Sequence, residues 1–283
     1  MRMCAESLMS AHKLLSYAKN GDLNGLQEVL SSGVDVDSVD SSGRTALHLA
    51  ASSDKCGVIQ LLLERGADVD VENKDGNTAL HVAAAAGHVE SCRLLLEKSD
   101  EDAENSETGN TPLWSAVAGG HLEAASVILE AGADPNFACE DGAMALHRAA
   151  ADGNEELVLL LLKHGGQVDG LDQARMTPLH WAAQSCSLKS IQALITAGAD
   201  VKKPGRDAWT ALHLVAQNKA GIEGAVEAAE LLLSKGADAK ARTRDGLTPL
   251  SVVALDVEKR SKKISRQDDE MRDLLQAAEE EAE

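Results

Sequence analysis

The chain has 283 residues, 44% of them apolar, with 27 lysines and arginines against 46 aspartates and glutamates. A formal charge of −19 repels phosphate, which argues against a nucleic-acid duplex or an anionic membrane surface as partner. The five aromatic residues (Trp114, Trp181, Trp209, Tyr17 and Phe137) are too few for a base-stacking platform or an aromatic core.

At the N-terminus, Glu6, Ser7, Ser10 and His12 interrupt any signal-peptide apolar run. No stretch approaches the roughly 18–20 apolar residues of a membrane span. Cys4, Cys56, Cys92, Cys139 and Cys186 are odd in number and show no CxxC spacing. They read as reduced thiols of a cytoplasmic or nuclear protein.

The chain repeats itself. GRTALHLAA around Thr45 returns around Thr78, Thr111, Met144, Thr177, Thr210 and Thr248, in five steps of 33 residues and a last step of 38. A second motif keeps the same phase, as in LLLERGADVD at 61–70 and LLLSKGADAK at 231–240. In six of the seven copies a threonine stands where it caps a short helix, and Met144 takes that place in the seventh. Small residues such as Ala50 and Ala51 let that helix approach its neighbours, and pairs such as Gly87-His88 turn the chain. A second helix then presents leucines such as Leu94, Leu95 and Leu96 to the core, and the glycine of GAD ends it at positive φ. One unit cannot bury its apolar stripe alone, so units must stack.

Eight units follow in order: 7–39, 40–72, 73–105, 106–138, 139–171, 172–204, 205–242 and 243–278, after an N-terminal segment 1–6 and before an acidic tail 279–283. The first and last read as caps. Unit 1 has helices but no threonine signature before it, and unit 8 carries about ten extra residues before its second helix, with no GAD after it. Unit 3 has SerAspGlu at 99–101 in place of GAD, so strain or fraying is expected at that helix end. Unit 6 has Arg175 where a glycine belongs and Ser185-Cys186-Ser187 at its helix turn, and unit 7 has Ala208 in the glycine slot.

The TPLHxAA and LLLxxGAD signatures, covering almost the whole chain, resemble those of the ankyrin-repeat family. That resemblance implies an all-α solenoid of about eight helix-turn-helix units with β-hairpin fingers. It also implies a concave finger and inner-helix surface that binds other proteins. ALHRAAADGN at 145–154 is similar to the matching stretch of an ankyrin-type assembly chaperone, so an assembly chaperone or a regulatory or inhibitory subunit stands as the alternative to a scaffold or adaptor.

Chemistry-bearing residues fit the repeat better than they fit an active site. His48, His81, His147, His180 and His213 share one slot, which points to structural hydrogen bonds rather than metal. Asp35/Asp37 and Asp68/Asp70 belong to the GADVD loop and lack the further ligands of a calcium site. Neither a phosphate loop nor a nucleophile elbow occurs, and Cys139 has no base near it in sequence. No catalytic residue, metal, cofactor or small-molecule ligand is expected.

Partner binding is assigned to the residue before each threonine, which lies on the finger: Arg44, Asn77, Asn110, Ala143, Met176, Trp209 and Leu247. If the fingers align, Met176, Trp209 and Leu247, with Ala143 before them, form an apolar row in units 5–8, tryptophan being the favoured hot-spot residue. Arg206 and Arg244 flank that row and suit a partner with acidic groups. Glu140, Asp141 and Asp152 offer a site for a basic one. Trp181 reads as buried between units. Charge is uneven along the chain, net −15 over 1–204, +3 over 205–266 and −7 beyond. Lys259, Arg260, Lys262 and Lys263 in the unit 8 insertion fit either a nuclear-import pattern or a solvated helix extension. Unit 7 carries a second insertion near Lys219–Gly224. The expected protein is a monomeric, non-enzymatic binder of another protein.

Overall fold

The computed structural model describes residues 2–217, 224–260 and 266–282, with side chains described for 9–217, 224–254 and 267–282. Among them the chain is all-helical, and it divides into two compact units, Met1–Glu140 and Asp141–Glu283. No helix among these residues is long and apolar enough to cross a membrane.

The first unit contains α1 (Arg2–Asn20), α2 (Leu23–Ser31), α3 (Ala46–Ser52), α4 (Cys56–Glu64), α5 (Ala79–Ala86), α6 (Val89–Leu96), α7 (Pro112–Ala118) and α8 (Leu122–Ala131). Each odd helix packs on the even helix that follows it. The odd helices also stack in one row, α1 to α3 to α5 to α7, and the even helices in another. The second unit repeats the scheme with α9 (Ala145–Ala151), α10 (Glu155–Lys163), α11 (Pro178–Gln184), α12 (Leu188–Thr196), α13 (Ala211–Gln217), α14 (Ala225–Ser234), α15 (Pro249–Arg260) and α16 (Arg266–Glu281).

Local chemistry sets these boundaries. Thr45, Thr111 and Thr177 hold extended backbone, and each hydroxyl accepts the N–H three residues on, at 3.3–3.4 Å. Odd helices bury alanines such as Ala50, Ala83, Ala116, Ala149, Ala182 and Ala216 completely, which lets the row stack closely. Of the three consecutive leucines in α4, α6 and α14 only the middle one (Leu62, Leu95 and Leu232) is fully buried, and of the four at 159–162 in α10 only Leu161 is. Three successive helical residues sweep about 200° around the axis, so the outer two reach the core only at its edges.

The fingers depart from expectation. No strand occurs among the described residues, and the segments expected to be β-hairpins are turns. In six of the seven a single backbone hydrogen bond joins the two arms of the turn: Asp40 N–H to Arg44 C=O, Asn73 to Asn77, Asn105 to Asn110, Asp172 to Met176, Gly205 to Trp209 and Thr243 to Leu247, at 2.7–3.0 Å, beside a bond within the turn such as Gly43 N–H to Asp40 C=O at 3.0 Å. Single bonds such as Lys74 N–H to Ser42 C=O (3.0 Å) and Arg244 N–H to Asp207 C=O (2.7 Å) join neighbouring turns. A ladder needs more than one bond per pair, and the segments are too short to supply it.

The end of α6 differs as well. No residue from 97 to 101 has positive φ, and the chain leaves the helix with Ser99 N–H on the Leu95 carbonyl at 2.9 Å. The strain expected from the missing glycine is avoided because the left-handed conformation is not used there.

Candidate functional site

In the second unit, two fingers and two odd helices enclose a groove of about 450 Å³. The fingers contribute Asp172, Ala174, Met176, Arg206, Asp207 and Trp209, and the helices contribute Trp181 and Gln184 from α11 and Leu214 and Gln217 from α13. Asp172 organises the first finger. Its Oδ1 accepts the Met176 N–H at 2.7 Å, and its Oδ2 accepts the Trp181 Nε1–H at 2.9 Å. Met176 and Trp209 are half-buried. The Met176 side chain lies against Gly205, where a Cβ would come within 2.7 Å of its sulfur. The indole of Trp181 meets His147 edge-on with ring centres 5.6 Å apart, and that of Trp209 lies 5.8 Å from His213.

Both fingers around this groove hold non-glycine residues in the left-handed region, Arg175 at φ 63°, Asp207 at 51° and Ala208 at 62°. The fingers at Gly43, Gly76, Gly109, Gly142 and Gly246 use glycine for the same φ. A side chain there costs about 1–2 kcal/mol per residue. Such strain persists where surrounding contacts overrule it. Here the turn Arg206–Ala208 is held by Gly205 N–H on the Trp209 carbonyl (2.7 Å), Trp209 N–H on the Arg206 carbonyl (2.9 Å) and Arg244 N–H on the Asp207 carbonyl (2.7 Å).

The five slot histidines brace the fingers from beneath. In His180, Nδ1 accepts the Thr177 N–H at 3.1 Å, so Nε2 carries the proton and donates it to the Trp209 carbonyl at 3.1 Å. His48, His81, His147 and His213 make the equivalent bonds to the carbonyls of Asn77, Asn110, Met176 and Leu247 at 2.8–3.1 Å. Burial pushes the pKa of all five below the ordinary 6.5, with the carbonyl bonds opposing it only in part. They are neutral structural ties whose ring nitrogens are both engaged.

A family profile described as "Ankyrin repeats (3 copies)" matches residues 14–105, 56–139 and 131–205, and one described as "Ankyrin repeat" matches 207–244. The chain belongs to the ankyrin-repeat family. Over 45 residues, 16% of this chain, it is 51% identical to Integrin-linked protein kinase 1 of Arabidopsis thaliana, and the match spans 9% of that protein. Ankyrin repeats are general protein–protein interaction modules, and proteins built from them are typically non-enzymatic.

Against this ankyrin frame, the expected site residues divide. Met176, Trp209 and Arg206 come together in the groove. Leu247 is half-buried and lies outside the groove lining, so the expected three-residue row is two residues long at this site. Ala143 requires a correction. Its side chain is completely buried, because one methyl at that slot does not reach past the turn, and it offers a partner nothing. Arg206 and Arg244 are exposed but converge on Asp207, at 3.6 and 3.7 Å, which offsets the positive charge expected to attract acidic groups. Glu140 and Asp141 are exposed, the first closing one unit and the second opening the other. Asp152 is exposed and pairs with Arg148 at 2.6 Å, so its charge is compensated within α9 and its cap. Lys259 and Arg260 end α15 with their side chains outside the description, and Lys262, Lys263 and residues 219–223 lie outside the described residues.

Sequence reasoning missed Asp172, Trp181, Gln184, Asp207, Leu214 and Gln217. Trp181, expected to be buried between units, is half-buried and faces the groove. The signal was present. Trp181 and Gln184 stand four and seven residues after Thr177, and Leu214 and Gln217 stand four and seven after Thr210. Positions separated by three or four share one helix face, here the face beside the finger.

Proposed function

We propose that this chain is a non-enzymatic scaffold or adaptor that docks a partner protein in the groove between the 172–176 and 206–209 fingers and helices α11 and α13. On this reading the chain comprises eight helix pairs, four in each compact unit, with the boundaries given by the repeat. The observation that carries the proposal is the coincidence of two half-buried tryptophans, a 450 Å³ groove and strained non-glycine finger turns in one place. Aromatic side chains in desolvated clefts supply much of the energy of protein interfaces. Residues held at strained backbone angles cluster at ligand clamps and other functional sites, where surrounding contacts hold them in place. A docking role also fits the interaction modules of which the chain is made.

The test is quantitative affinity capture with the wild type, the Met176→Ala/Trp209→Ala double variant and a Leu159→Ala control. Leu159 is 50% exposed on α10 and lies outside the groove lining. Proteins retained by wild type and control but lost from the double variant, with helix content unchanged, support the reading. An identical set of captured proteins for all three removes the groove as the docking surface.

A further inference from the structure

We propose that the groove receives an arginine side chain of the partner, whose guanidinium stacks between Trp181 and Trp209 and pairs with Asp172. The proposal rests on the docking function above and names the chemistry the groove selects.

Two fingers of the protein share one backbone turn and differ in their side chains. Asp40 in the first unit and Asp172 in the second occupy the same finger slot. The Asp40 backbone N–H binds the Arg44 carbonyl at 3.0 Å, and that of Asp172 binds the Met176 carbonyl at the same distance. The Arg44 N–H returns to Asp40 Oδ1 at 3.0 Å, and the Met176 N–H returns to Asp172 Oδ1 at 2.7 Å. The turns match and the side chains differ. Arg44 sends its own guanidinium to Asp40 Oδ2, with Nε at 2.9 Å and the terminal nitrogen at 2.7 Å. In the second finger Met176 stands where Arg44 stands in the first and lies over Gly205, and among the described residues no side chain forms an ion pair with Asp172.

Asp172 is therefore a carboxylate in the slot that holds a guanidinium at Asp40, in a finger that supplies none of its own. Its two bonded donors, an amide and an indole N–H, are neutral, and each oxygen keeps a second lone pair. Around it the groove presents two indoles, the preferred faces for a delocalised cation. Arg206 also lines the groove, but it and Arg244 are directed at Asp207. Counting Asp172, Asp207 and Arg206, the lining carries one net negative charge. A planar guanidinium matches both stacking surfaces and a carboxylate at once, which a compact ammonium does less well. Met176 and Leu214 add apolar lining beside it.

The experiment follows the three indole N–H signals by nitrogen-15 NMR while the full chain is titrated with acetyl-Leu-Arg-Leu-amide, and in parallel with the same peptide carrying neutral citrulline. Trp114, in the first unit, is the internal control. The expected result is saturable displacement of the Trp181 and Trp209 signals by the arginine peptide, with binding at least tenfold weaker for citrulline and no movement of Trp114. Asp172→Asn keeps the turn, since Asn73 caps its own turn in that slot at 3.1 Å, and should weaken arginine binding at least tenfold. Met176→Arg restores the residue found at Arg44 and should fill the site from within, abolishing the response.

Equal displacement by both peptides, full response in Asp172→Asn, or no displacement at about 10 mM probe overturns the proposal, since that concentration detects even millimolar binding. The docking function fails separately. A partner lost on Trp209→Ala but retained in full by Asp172→Asn preserves the groove and removes the arginine, whereas a partner indifferent to Trp209→Ala removes both.

Discussion

Replacing His180 by alanine tests whether the buried imidazoles tie the fingers down. The ring is 1% exposed, its Nδ1 accepts the Thr177 N–H at 3.1 Å, and its Nε2–H reaches the Trp209 carbonyl at 3.1 Å. Truncation leaves the buried Thr177 N–H without a partner, which costs about 1–3 kcal/mol. The Trp209 carbonyl keeps the Gly205 N–H at 2.7 Å, so it adds little. Lost burial of the ring contributes on the order of another 1 kcal/mol. The expected loss is therefore about 3 kcal/mol, a large share of a typical domain's stability. The assay is urea unfolding followed by circular dichroism, with His121→Ala as comparison. His121 makes one bond to the Ala85 carbonyl at 3.0 Å on the surface, and its removal should cost less than about 1 kcal/mol. A loss of under about 1 kcal/mol for His180→Ala, or equality with His121→Ala, would refute the reasoning.

The same imidazoles predict a pH dependence. Their folded pKa values lie below 6.5, so the unfolded chain binds more protons between those values and 6.5; stability is full above 6.5 and falls as pH drops beneath it. In high salt, which screens the surface charge, the urea midpoint should decline between about pH 7.5 and about pH 5.5, and a constant or rising midpoint contradicts the assignment. At the strained turn, Ala208→Val should destabilise by about 1–2 kcal/mol because a branched side chain is least tolerated at positive φ, while Ala208→Gly should not destabilise. Calorimetric melts that place the two variants together would show that the left-handed backbone is not what limits this position. For the docking surface, Trp209→Ala should weaken a captured partner by about 2–4 kcal/mol with helix content intact, as titration calorimetry would measure. An unfolded variant would instead make the indole part of the core.

Much of the architecture was legible because every unit carries the same instructions. The recurring 33-residue step, the capping threonines and the alanine-rich odd helices determine where helices begin and which faces meet. The fingers were read less well. Turn residues and spacing identify them, but whether they become strands depends on the number of bonds each can share with its neighbour, and here single bonds such as Lys74 N–H to Ser42 C=O join neighbouring turns. At Ala143 the slot was known but not the depth to which a methyl group sits. The site was half visible. Met176 and Trp209 announced themselves by position, whereas Asp172 and Trp181 matter through a contact nine residues apart in sequence, at 2.9 Å. The charge reading failed at Arg206 and Arg244, because Asp207 stands between them only once its unusual φ has turned the chain.

From one tier to the next, the histidine Nε2–H grips main-chain oxygen and no side chain. Asn77, Asn110, Met176, Trp209 and Leu247 all present that atom to the imidazole below, although their side chains share no chemistry. What holds one tier to the next is thus indifferent to what the tier displays. Mutation can rewrite the display residue by residue, from amide to thioether to indole, while the mortar between courses stays the same.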